Sequence, residues 1–269
     1  MTTRINKLGE IEPRRRIGPR DRDALENWLN AYRNSVGSAG DLCVNLLQDL
    51  YGAGALQGGD PGQTIELLET LEALSPDPIT ISSALVHVAG LDGTDLSSVT
   101  AELPAQVKRQ LDDLEKLKHY ESGQPLSGTE RSAEGLRRLL LALVKDVRVV
   151  LIDLAWQLVL LRGVTEANED AHNLARETML IHAPLANRLG IWQLKWELED
   201  LSFRYTEPGQ YRKIANLVAE HRNEREAFIK RFLARLEKAL ADAGIPAEVK
   251  GRPKHIYSIW KKMQRKGLD

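Results

Sequence analysis

The sequence predicts a mainly α-helical protein, and three observations carry that prediction. Apolar residues recur three and four apart through most of the 269 residues, Val/Ile-rich alternating runs are nearly absent, and short Gly/Pro breaks separate the periodic segments. Glycine and proline are not enriched overall and aliphatic residues are plentiful, so the chain is globular and long enough for one large domain or two modest ones.

The elements follow in order. Ala24, Leu25, Trp28, Leu29 and Tyr32 predict a helix from Asp21, and Leu42, Leu46, Leu47 and Leu50 a second one before Gly52 and Gly54. Residues 64–74 and 79–89 repeat the pattern around the break Ser75-Pro76-Asp77-Pro78. Gly90 to Thr94 reads as a turn, and Asp95 to Leu117 as one or two short helices. Glu121 to Gly128 has no periodicity and many turn formers, which predicts a mobile surface loop. Thr129–Leu161 and Val164–Asn187 are expected as helices. Ile191, Leu194, Leu198, Leu201 and Tyr205 mark an amphipathic one beside which Trp192 and Trp196 stack, as packing rather than as a platform for bases. Gln210 to Ala243 predicts a long charged helix. Ile245 to Lys250 then reads as a strand running through a Gly/Pro break into a basic helix.

Several function classes are excluded. The most apolar stretch, Val147 to Leu161, contains Arg148, Asp153 and Gln157 and is shorter than the roughly 20 residues that cross a bilayer, so it is a buried core helix. The lone Cys43 has no disulfide partner within the chain and sits in an apolar run. With no signal-peptide core at the N-terminus, a cytoplasmic protein is expected. The net charge of −1 is unevenly spread. Residues 1–20 hold Arg4, Lys7, Arg14, Arg15, Arg16 and Arg20 and read as a basic flexible tail, and the C-terminal end is basic too.

That basic end carries candidate chemistry. Residues four apart share a helix face, so Arg252, Lys254, Ser258 and Lys262 come together at a helix start. Guanidinium, ammonium and hydroxyl groups there, with the free N–H groups of the first turn, suit phosphate oxygens. The alternative is a solvated basic face. His119, His172, His182 and His221 show no ligand spacing with one another. His172 and His182, ten residues or nearly three turns apart, cannot share an ion along one helix, so no metal site is expected.

Gly251-Arg252-Pro253-Lys254-His255-Ile256-Tyr257-Ser258-Ile259-Trp260-Lys261-Lys262-Met263, together with Ala183 to Ile191 and Lys195 to Asp200, resembles the RelA/SpoT family of long (p)ppGpp synthetases and hydrolases, in its RelA branch. The resemblance implies a helical HD-type hydrolase domain, a linking bundle and then an α/β synthetase domain. Mapped here, these give a basic tail over 1–20, an HD-type domain over 21–175, linking helices over 176–243 and the start of a synthetase domain over 244–269. It also implies transfer of the β,γ-pyrophosphate of ATP to the ribose 3′-hydroxyl of GDP or GTP with Mg²⁺. Arg252, Lys254, Ser258 and Lys262 would grip the ATP phosphates. The family's acidic metal ligand, base and guanine-stacking residue belong to segments beyond Asp269, so this polypeptide is expected to be inactive alone and to hold no cofactor. The implied partners are the chain's own synthetase domain and, through C-terminal regions, the ribosome and transfer RNA, but no membrane.

The resemblance also implies a lost reaction. An HD hydrolase holds a divalent metal with His and Asp from separate helices, and the ion lowers the pKa of a bound water. The family's His-Asp pair falls on His87 and Val88, and its Glu-Asp pair on Leu91 and Asp92. The expected His near Pro61 to Thr64 is absent, and the last ligating Asp falls on Trp156. The nucleotide-contacting Asn and Thr fall on Leu160 and Gly163, which implies an apolar pocket. A degenerate, regulatory hydrolase domain is the expectation, with His87 a satisfied core residue. The alternatives are a non-catalytic nucleotide- or protein-binding helical module, and a metal hydrolase using Asp92, Asp95 and Glu102.

Overall fold

The structure is a computed structural model that describes residues 22–56, 60–74, 77–123, 146–164, 169–220, 222–249, 251 and 254–267. It is mainly α-helical, and no strand occurs among the described residues. No helix there is long and apolar enough to cross a membrane. The chain divides into two compact units, the first ending at Gly163 and the second taking up at Val164.

The first unit comprises α1 (Arg22–Val36), α2 (Asp41–Gly52), α3 (Pro61–Leu74), α4 (Pro78–Ala89), α5 (Ser97–Glu102), α6 (Ala105–Gly123) and α7 (Val147–Gly163). Leu25, Leu29 and Tyr32 lie on one face of α1 and are buried, as the spacing predicts. Cys43 on α2 is fully buried beside Ser82, with its Sγ 3.4 Å from the Ser82 Oγ, and burial pushes its thiol up to about 11. It acts as a small hydrophobe. Helix α7 is apolar all round: Val149, Val150, Ile152, Leu154, Ala155, Leu158, Val159 and Leu161 are all buried, so it packs on α3, α4 and α6 at once.

A polar network fixes where these helices start. Asp77 caps α4 by accepting from the Ile79 N–H at 2.9 Å, with Pro78 at the first helical position, where its missing N–H leaves nothing unsatisfied. The Arg148 guanidinium donates to Asp77 from one side and to Asp146 from the other, at 2.6 and 2.9 Å. Gln110 on α6 donates to Asp146 at 2.9 Å and accepts from Ser83 of α4 at 2.7 Å. The hydrogen bonds from Arg148, ahead of those from Gln110, hold the Asp146 carboxyl down at about 2.

The second unit contains α8 (Glu169–Glu177), a π-helical turn over Thr178–His182, α9 (Ala183–Arg188), α10 (Trp192–Thr206), α11 (Pro208–Glu220), α12 (Arg222–Asp242) and α13 (Ile256–Lys266). Helix α10 packs on α8, the π turn, α9 and α11. Gly190, at φ 73°, ends α9 in the left-handed conformation, and the Ile191 N–H closes back onto the Ala186 carbonyl at 2.9 Å. Phe203 is buried at the centre of an aromatic cluster with Tyr211, Tyr257 and Trp260, the last 4.8 Å between ring centroids.

Five expectations differ in detail. The helix expected over 129–161 is described only from Val147, after the non-helical Asp146, and 129–145 lie outside the described residues. The single helix expected over 164–187 is interrupted by the π turn, because the Pro184 ring would clash with the Leu180 carbonyl in a regular helix. The charged run expected over 210–243 is helical as α11 to Glu220 and as α12 from Arg222 to Asp242, and His221 between them lies outside the described residues. The Glu121–Gly128 loop signal begins inside α6, which continues to Gly123, and 124–128 lie outside the described residues, as does the tail 1–20. Residues 245–249, where a strand was expected, are in neither helix nor strand, and Lys250 lies outside the described residues.

Replacing Arg148 by Ala leaves two partly buried carboxylates without their shared donor, and should lower the unfolding free energy by about 1–3 kcal/mol. The folded Asp146 binds its proton only near pH 2, below the unfolded value of 3.8, so its contribution is present above about pH 4 and lost as pH falls toward 2. Urea titrations of Arg148→Ala at a series of acid pH values should show that part of the slope flattened.

Candidate functional site

His87 and Val88 end α4, and Trp156, Leu160 and Gly163 follow one another along α7. The two helices start together at the Asp77–Arg148–Asp146 network and run level, so His87, ten residues after Asp77, faces Trp156, eight residues after Arg148. Their ring centroids are 6.4 Å apart at 82°, an edge-on contact. Burial, with Lys118 adding repulsion, pulls the His87 imidazole down to about 4 from its usual 6.5, so it is neutral at pH 7.

The neighbouring positions do not restore a donor set. Val88 and Leu160 are half-buried hydrocarbon, and Leu91 is 41% exposed on the short 3₁₀ turn Gly90–Asp92 that follows α4. The Asp92 side chain lies outside the described ones. Arg162 is committed to Glu66 of α3 at 3.0 Å, across the two helices. A side chain at Gly163 would meet the Gln63 amide, 3.4 Å from an added Cβ. Among the described residues no group of three or more His, Cys, Asp or Glu side chains is placed to hold a metal ion. Beside His87, an indole edge and hydrocarbon stand where a divalent ion would need anionic or imidazole donors, so these residues do not fit the ion of an HD hydrolase.

The second candidate lies on α13. Ser258 and Lys262 are one turn apart on the face of α13 away from Ile259, Trp260 and Met263, with Lys262 exposed; Lys254, also exposed, sits two residues before the helix. Arg252 is outside the described residues. Gly251 has a structural cause, because its backbone passes against α12 so closely that an added Cβ would lie 3.2 Å from both Ile229 and Leu233.

The start of α13 differs from the expectation in one respect. Its first N–H groups are not free for a ligand: Asp200, on α10, accepts from Tyr257 N–H at 2.8 Å and from Ile256 N–H at 3.2 Å. His255, the residue before the helix, makes no cap of its own; it stacks on Trp196 at 5.1 Å with its Nδ1 3.4 Å from the same carboxylate. Trp196 in turn stacks on Trp192, so both indoles are engaged in packing. Sequence reasoning missed Asp200 and Glu66, whose partners are 56 and 96 residues away; no local pattern signals either. Asp77 before Pro78 and Asp146 before Val147 did carry a readable cap signal.

The fold is two helical units, one with a neutral imidazole against an indole and the other with a basic helix packed on a bundle. Residues 60–192 match the HD domain family. The GTP pyrophosphokinase of Escherichia coli (strain K12) is 42% identical over 277 residues, covering 98% of this chain and 35% of that protein. The GTP pyrophosphokinase of Haemophilus influenzae is 40% identical over 214 residues, covering 76% and 28%. A probable guanosine-3′,5′-bis(diphosphate) 3′-pyrophosphohydrolase of Synechocystis sp. is 38% identical over 221 residues, covering 80% and 29%. The chain belongs to the RelA/SpoT family, and it spans about a third of the length of the curated relatives it matches.

Because the folded chain refuses a proton on His87 that the unfolded chain accepts, His87 lowers stability as pH falls from about 6.5 to about 4, each tenfold loss of proton affinity on folding costing about 1.4 kcal/mol. Urea midpoints measured from pH 7 down to pH 4.5 should therefore fall less steeply for His87→Leu than for the unaltered chain.

Proposed function

We propose that the chain is the regulatory N-terminal region of a RelA-like (p)ppGpp synthetase whose HD domain no longer hydrolyses (p)ppGpp. The observation that carries this reading is the Trp156 indole set edge-on against a neutral His87. Relatives named for both opposed reactions match the chain, so the choice between them falls to the local residues. A hydrolase of this type needs an ion that polarises water and steadies phosphate, and the positions that would hold it are valine, leucine and tryptophan.

By the same reading, Arg252, Lys254, Ser258 and Lys262 contribute to ATP recognition in the full-length protein, where pyrophosphate passes to the 3′-hydroxyl of GDP or GTP. Cationic and hydroxyl groups neutralise and align phosphate oxygens, which is most of what phosphoryl chemistry asks of a protein. The donor set on α13 suits phosphate and not Mg²⁺, so a metal for that reaction requires carboxylates from elsewhere. The chain alone is therefore not a synthetase, and its site residues hold the nucleotide without turning it over. Its role is to set the state of the synthetase from an emptied hydrolase scaffold in the cytoplasm; the ribosome and transfer RNA act through other regions.

Two measurements test this. Purified chain incubated with Mn²⁺ and ppGpp should release no pyrophosphate above the buffer rate, and metal-dependent release would overturn the degenerate-hydrolase reading. Titration of ATP should show binding that weakens about ten-fold in Arg252→Ala or Lys262→Ala, the loss of one charge-assisted contact. Equal affinity in all three proteins would remove the phosphate role.

A further inference from the structure

The contact between Asp200 and α13 places a carboxylate where an anion binds a helix. A helix start is commonly capped by its own Ser, Thr, Asp or Asn, and α13 has His255 there with no side-chain cap. The cap comes instead from α10. Both Asp200 oxygens are used, one on Tyr257 N–H and the other on Ile256 N–H, and the carboxylate is four-fifths buried. The same contact sets His255 against Trp196, and it adjoins the packing of Tyr257 and Trp260 on Phe203. Lys254 and Ser258 flank these amides in sequence, and Lys262 follows one turn further along.

We propose that Asp200 is an intramolecular latch: it occupies the anion position at the start of α13, holds that helix on α10, and is displaced when a polyphosphate engages Lys254, Ser258 and Lys262. The inference rests on the phosphate reading of that segment and adds its regulation. Two anions cannot share the same pair of N–H donors, and at contact distance they repel, so phosphate near the helix start and Asp200 compete. Linkage makes the effect reciprocal. Whatever loosens α13 from α10 favours phosphate, and phosphate loosens α13 from α10. Since α10 also packs on α8, the π turn and α9, the latch gives phosphate occupancy a mechanical route into the helices that precede it.

The test uses the full 269-residue chain, inorganic tripolyphosphate as probe, and the variants Asp200→Asn, Lys262→Ala and the double variant. Asp200→Asn keeps the shape and an accepting oxygen but removes the charge. It should bind tripolyphosphate about two- to five-fold more tightly, the size of one charge effect at a helix end, and Lys262→Ala should weaken binding in both backgrounds. If Asp200→Asn leaves affinity unchanged or lowers it while Lys262→Ala still weakens it, the latch is wrong and the phosphate reading stands. Binding that Lys262→Ala does not weaken in either background overturns both. A second measurement needs no variant: the amide resonances of Ile256 and Tyr257 in the unaltered chain should shift on titration with tripolyphosphate in step with binding. Amides that stay fixed at saturation overturn the latch even if Asp200→Asn fails to fold.

Discussion

Arg148 is the point from which the first unit is laid out. One guanidinium joined to Asp77 and Asp146 brings the starts of α4 and α7 together, while Gln110 ties α6 to the same place. At 1.5 Å per residue, positions about ten and eight residues beyond that point are nearly level, which is why His87 meets Trp156 rather than a residue a turn away. The two helices thus bring an imidazole and an indole together, and among the described residues no group of three or more metal-ligating side chains gathers there.

The parts of the structure that were legible in the sequence are those fixed by short-range physics. The buried faces of α1 to α4 follow from three-and-four spacing, the start of α4 at Pro78 from proline, and the burial of Cys43 from its apolar neighbours. The reading of a degenerate hydrolase site rests on resemblance, because nothing about Trp156 in isolation says that a carboxylate is missing. Local spacing could not show that 164–187 contains a π turn, nor that the basic helix is capped from α10. The first depends on a clash between Pro184 and the turn before it. The second depends on tertiary packing that brings Asp200 to a backbone 56 residues away.

In the second unit the same aromatic residues answer two demands. Phe203 buries Tyr257 and Trp260, which docks α13, and the polar side of α13 is then presented as a group with its spacing set by the helix rather than by a loop. Trp192 and Trp196, read from the sequence as packing, stack on each other, and Trp196 also stacks on His255. A basic helix alone would leave Lys254 and Lys262 without a fixed frame; the aromatic contacts supply one.

The wide turn at Thr178–His182 carries a consequence for every residue after it. A π turn holds one residue more than a regular turn, and each residue advances a helix by about 100°, so the insertion rotates α9 about its axis relative to the direction α8 would have dictated. Leu185 and Ala186, which follow the wide turn, are fully buried. The wide turn therefore absorbs one residue, and a homologue lacking that residue could run a regular helix through the same place and keep the pattern of inside and outside positions that follows.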